Sequence, residues 1–195
     1  MKKAVLLIMI SVMLAGLTGC QAKRPAAAVD GAPWSEDWIT FGVLGVEEPG
    51  YGLTLRDDKA ARDMCYAAWS IGEAQPYVNG AGEEAERYDA QLVLLLTACD
   101  TPEEAQQNVE ELLGLAKEHY TVTSTVQRTF NGQEFTVLTY SFASDTSSFS
   151  RGVSAFTTFG AWAISVEFAC QDDFAEDGTE ILTDFLEHCH YAAQS

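Results

Sequence analysis

Read as a string of apolar and polar positions, the chain divides into stretches of different period. Tyr88 to Cys99, YDAQLVLLLTAC, is apolar almost without a break, which predicts a central strand covered on both faces. Ala161 to Cys170 alternates instead. Trp162, Ile164, Val166 and Phe168 share one side and Ala163, Ser165, Glu167 and Ala169 the other, so one face is core and the second is at most lightly covered. Arg151 to Phe159 precedes it as a hairpin partner around Gly160, after a serine-rich loop from Ala143 to Ser150. Tyr120 to Phe130 and Gln133 to Phe142 flank Asn131-Gly132, the strongest short hairpin signal a sequence offers. Cys65 to Tyr77 reads as a strand joined to Tyr88–Cys99 by a turn over Asn79–Glu84. Earlier, Ile39–Val43 and Leu53–Leu55 read as a short hairpin across the turn residues Glu47–Gly52, and Asp57–Asp63 as a helical turn.

Two segments carry helical spacing. In the first, Thr101 and Glu104 predict a capping box and Pro102 sits at the first helical position, where its missing N–H costs nothing. Ala105, Val109, Leu112, Leu113 and Ala116 then form one apolar stripe, with Glu103, Glu110, Glu111 and Glu118 facing water and Lys117 and His119 suiting the C-terminal dipole. The second helix begins at Asp173 or Thr179 and runs to Cys189, burying Ile181, Leu182, Phe185 and Leu186. Hairpins interrupted by helices indicate an α+β fold, a curved, mainly antiparallel sheet with two packed helices.

From about Phe41 to His190 this order of elements resembles the α-β-α sandwich of the photosystem II extrinsic subunit PsbP and its bacterial relatives, which include many small secreted lipoproteins. The resemblance rests on no catalytic motif and implies an accessory or binding role.

Ahead of the folded part, Lys2 and Lys3 precede an apolar run from Ala4 to Leu14, and the segment closes on Leu17-Thr18-Gly19-Cys20. A positive head, an apolar middle and small residues at the cut make a secretory signal. A membrane span wants about 20 apolar residues, whereas this run is broken by Ser11, Gly16, Thr18 and Gly19. The closing tetrapeptide resembles the lipobox of bacterial lipoproteins. That resemblance implies that residues 1–19 are removed and that Cys20 becomes the lipidated first residue of a protein anchored at the extracytoplasmic face of the membrane. Gln21 to Pro33, QAKRPAAAVDGAP, has no apolar period and reads as a flexible tether, its Lys23 and Arg24 close to anionic headgroups. About 160 residues from Trp34 to the end suffice for a single domain that hides roughly 70% of its unfolded surface.

Charge narrows the partners. The chain has 29 acidic and 11 basic side chains, a net −18, and loss of the signal leaves 9 basic residues and about −20. Such a surface repels nucleic acid and anionic lipid and attracts cations and basic proteins. Besides Cys20 there are four cysteines, Cys65, Cys99, Cys170 and Cys189. An even number in an exported domain favours two disulfides, with three possible connectivities. A hairpin centred near Gly82 places Cys65 opposite Cys99, leaving Cys170 for Cys189.

No catalytic set emerges. Ser154 lies in Gly152-Val153-Ser154-Ala155-Phe156, which lacks the second glycine of a nucleophile elbow. His119, His188 and His190 fit no HExxH frame, and adjacent side chains in His188-Cys189-His190 diverge, so neither a metal nor a cofactor is expected. Asp173, Asp177, Gly178 and Asp184 match part of a calcium loop, yet Ala175 replaces a ligand and a capped helix start explains the same residues. Three functional classes follow. The first is a membrane-tethered, non-catalytic module for another envelope protein or a small ligand. The others are an envelope hydrolase with dispersed residues and a cation-responsive acidic protein.

Overall fold

The computed structural model describes residues 38–60, 64–78, 82, 84–142 and 149–192. The signal segment, Cys20, the tether and most of the serine-rich loop lie outside the described residues. Among the described residues, twelve strands and two helices occur in the order β1 (Ile39–Phe41), β2 (Leu44–Val46), β3 (Thr54–Ala60), β4 (Met64–Ile71), β5 (Gln75–Val78), β6 (Glu84–Arg87), β7 (Ala90–Ala98), α1 (Pro102–His119), β8 (Thr121–Phe130), β9 (Gln133–Ser141), β10 (Arg151–Phe159), β11 (Trp162–Cys170), α2 (Gly178–Glu187) and β12 (Cys189–Tyr191). The fold is α+β and its strand pairs are antiparallel.

The main sheet has seven strands in the order β3-β4-β7-β11-β10-β9-β8. The apolar run of β7 lies inside it, between β4 and β11. Helix α1 carries the chain from β7 to the far edge, where β8 starts. The meander β8-β9-β10-β11 then returns and closes on β7, from Trp162 opposite Ala98 to Cys170 opposite Ala90. At the β8–β9 turn Asn131 and Gly132 have φ of 45° and 78°, the left-handed conformations that a tight primed turn demands.

Each face of this sheet has its own apolar layer. On one, Cys65, Ala67 and Trp69 of β4, Leu92, Leu94 and Leu96 of β7, and Ile164, Val166 and Phe168 of β11 pack with Ile181, Leu182, Phe185 and Leu186 of α2. Phe41, Leu44, Val46 and Cys189 of a small three-stranded sheet, β1-β2-β12, complete that layer. On the other, Leu138, Tyr140, Phe156 and Ala163 meet Ala105, Val109 and Ala116 of α1. The second face of β11 is covered more than expected, because α1 lies over Ala163, while Ser165 and Glu167 stay half-buried. Small Ala163 on this face lets the helix approach.

Helix starts follow local chemistry. Thr101 accepts from the Glu104 N–H at 3.1 Å, and the Glu104 carboxylate reaches back to the Asp100 N–H at 3.0 Å, one residue before the cap. Asp177 caps α2 through Thr179 N–H at 2.8 Å, so that helix starts at the later of its two expected positions.

Several expectations are corrected. Ile39–Phe41 pairs with Leu44–Val46, not with the Leu53 segment. Asp57–Ala60 belongs to β3 rather than to a helical turn, since an edge strand tolerates charge along its length. The segment between β4 and β7 forms its own ribbon, β5-β6, which resets the register so that Cys65 faces Leu96. Cys65 packs in the α2 layer and Cys99 against the α1 layer, so the expected Cys65–Cys99 disulfide is not made. The Cys170–Cys189 pair fails for a different reason. Cys170 ends β11, whereas the Cys189 carbonyl accepts from Asn131 Nδ2 at 2.9 Å and Tyr191 packs on Phe159 at the opposite end of the sheet. The nine residues of β11 span about 26 Å, far beyond the roughly 7 Å between Cα atoms that a disulfide bridges. Among the described residues no cysteine is joined to another in a disulfide.

Candidate functional site

The residues singled out by sequence do not converge. Burial raises the pKa of Cys65, Cys170 and Cys189, which makes them inert apolar fillers rather than nucleophiles. The calcium pattern is overturned by the helix itself, for Gly178 to Glu187 is helical and cannot wrap an ion. Asp177 is spent as its cap, and Asp184 accepts from the Gly50 N–H at 3.0 Å. His188 turns its Nδ1 onto the Asp184 carbonyl at 2.7 Å. His190 points elsewhere, bonding Glu47 at 2.6 Å beneath the stacked ring of Trp38. Among the described residues no cluster of three or more His, Cys, Asp or Glu could hold a metal ion.

Ser154 does sit in a polar cluster that its sequence context did not reveal. Beneath α1, Tyr140 Oη lies 2.8 Å from Ser154 Oγ, and Ser154 donates to Glu167 Oε2 at 3.4 Å. Tyr120 stacks on Tyr140 with ring centroids 4.4 Å apart. Burial raises the pKa of Glu167, and the hydrogen bonds from Tyr140 and Ser154 only partly offset it. Ser154 and Tyr140 are 1% and 2% exposed while Glu167 is half-buried, so the hydroxyls are closed to a substrate and the cluster serves as a polar rivet across β9, β10 and β11 under α1. Its pH signature follows. Above the ordinary glutamate range the folded state holds a proton that the unfolded chain has released, so stability falls as pH rises towards the raised value. Glu167→Gln, which keeps the acceptor oxygen, is expected to melt about 2 to 4 °C above the parent near neutral pH, with the gap closing below about pH 4. Equal gaps at both pH values in calorimetric scans would refute this account.

The surface best suited to a partner is β8. It ends the seven-strand order, bonded to β9 on one side from Thr121 opposite Ser141 to Phe130 opposite Gln133, and no strand pairs with its other side among the described residues. From Thr121 to Thr129 every side chain but the half-buried Val122 is exposed, Val126 at 40%. Such an edge is a template for another chain. The opposite edge, β3, is guarded by Arg56, Asp57, Asp58 and Lys59, whereas β8 carries one charge, Arg128, in a run of threonines and valines.

Beside β8 lies an open groove of about 510 Å³, lined by Arg128, Tyr51 and four carboxylates, Asp177 at the cap of α2 and Glu180, Asp184 and Glu187 within it. The acids recur at intervals of three, four and three, which puts them on one side of the helix. Sequence reading took the apolar stripe of α2 and passed over this acidic one, because nothing local says that β8 folds next to it.

The arrangement is thus an α+β protein with a largely buried polar rivet and an open sheet edge flanked by acids. No family model matches the chain, and no curated protein sequence matches it. Among solved structures it is similar to the solution structure of cyanobacterial PsbP (CyanoP) from Synechocystis sp. PCC 6803, at 11% identity and a TM-score of 0.38, with 86% of this chain and 99% of that chain covered.

Proposed function

We propose that the protein is an extracytoplasmic lipoprotein, anchored through Cys20, whose domain is a non-catalytic accessory module that binds another envelope protein. The observation that carries this reading is the ten-residue edge of β8, left open where the other edge is charged. The lipobox-like Leu17-Thr18-Gly19-Cys20 supplies the location, and two acyl chains at about 0.8 kcal/mol per buried methylene make the anchor durable. The PsbP-like α-β-α plan is part of the same proposal and is supported by the apolar layers that α1 and α2 form with opposite faces of the sheet.

In cells, the protein is expected in the membrane fraction, and Cys20→Ser is expected to release it. A photo-crosslinker at Thr125 on β8 should trap one dominant envelope protein, and the same group at Lys59 on β3 should not. A soluble wild type would remove the anchor; equal trapping at both edges would remove the binding role of β8.

A further inference from the structure

The acidic groove specifies what β8 receives. We propose that the edge takes up an extended basic segment of another protein as an eighth strand, its Lys or Arg side chains lying over the carboxylates of α2. This rests on the accessory-module reading and adds the chemistry of the partner.

Ten residues of edge strand extend about 34 Å, and alternate residues direct N–H and C=O outward. Main-chain pairing would supply affinity, and side chains at every second position would supply specificity. The face that matters is set by parity. Phe130 is buried in the layer shared with α2 and Arg128 lines the groove, so the even positions of β8 near its end look towards α2. A strand added there puts alternate side chains beside the same acids. Asp177 and Asp184 are engaged as cap and loop clamp, while the carboxylates of Glu180 and Glu187 have no hydrogen bond or ion pair among the described residues. Both are exposed.

The C-terminal end of this stripe stands against the local preferences of its helix, whereas Glu180 in the first turn suits the dipole. Like charges three or four residues apart are unfavourable, and Glu187 occupies the last turn, where the dipole disfavours an anion and no basic residue compensates. Cationic side chains from a partner relieve both. A second copy of this chain is a poor occupant, since each copy carries a net −18 and repels the other.

The probe is a fluorescent nonapeptide, Lys-Val-Lys-Val-Thr-Val-Lys-Val-Lys, titrated by anisotropy against the full lipidated chain in uncharged detergent micelles. Binding is expected, weakening with salt, with added exchange protection at β8 amides. Replacing every Lys by Glu should abolish it, and N-methylation of alternate peptide amides should weaken it at least tenfold. E180Q/E187Q, which leaves the core untouched, should cost roughly tenfold and flatten the salt dependence. Equal affinity of the N-methylated peptide would show mere charge adsorption and overturn the proposal, as would an unchanged E180Q/E187Q. A dimer of the full chain that protects β8 in sedimentation and exchange would assign the edge to a second copy and overturn it too. Trapping of an envelope protein at Thr125 together with no peptide binding would defeat this inference while leaving the accessory role standing.

Discussion

Trp69→Ala is expected to destabilise the protein by about 3 to 5 kcal/mol, a large share of the 5 to 15 kcal/mol that typically separates folded from unfolded. Trp69 is 1% exposed on β4 and meets Phe185 of α2 edge-on at 4.9 Å and Phe41 of β1 at 6.5 Å. One indole therefore joins the large sheet, the C-terminal helix and the three-stranded sheet, whose strands are only three residues long. Strands so short are not stable by themselves, so their order depends on this contact. Chemical denaturation should show the loss directly. Amide exchange should also quicken first in Leu44–Val46 and Cys189–Tyr191, ahead of β7. A shift below about 1 kcal/mol, or uniform loss of protection, would mean that the layer can close over the gap without its tryptophan.

Gly152→Ala is the second severe substitution, although it adds one methyl group. A Cβ built on Gly152 lies 2.8 Å from three atoms of the Tyr140 ring, Cε2, Cζ and Oη, below any normal van der Waals separation. Gly152 stands opposite Tyr140 in the β9–β10 ladder, and the ring lies across the space that the missing side chain leaves. The tyrosine cannot step aside, held as it is by Tyr120 and Phe142 at 4.4 and 5.3 Å and by Ser154 at 2.8 Å. Overpacking and a broken buried hydrogen bond together cost about 2 to 4 kcal/mol, or a fall in Tm of roughly 5 to 15 °C. Near-ultraviolet circular dichroism should report the displaced tyrosines. A melting temperature within about 2 °C of the parent would show that the ring has an alternative seat.

What the sequence by itself determined was local. The capped start of α1, the Asn131-Gly132 turn, the apolar run of β7 and the pairing of β10 with β11 all follow from chemistry contained within a dozen residues, so their positions were legible. The acidic charge was legible on the same grounds. Pairings across distance were not. Inserting the β5-β6 ribbon changed the register between β4 and β7, and a register shift moves every side chain, which is why Cys65 and Cys99 ended on opposite faces. The passage of α1 over the second side of β11 brought Glu167 together with the buried Ser154 and Tyr140, although only the strand of Glu167 had a readable second face, at most lightly covered. The candidate binding surface was the least legible of all. The openness of β8 depends on its place at the end of the strand order, and the acids of α2 acquire meaning only because the sheet brings Arg128 beside them. Solvent exposure and long-range contact are properties of the assembled layers, and periodicity along a chain does not encode which edge is left unpaired.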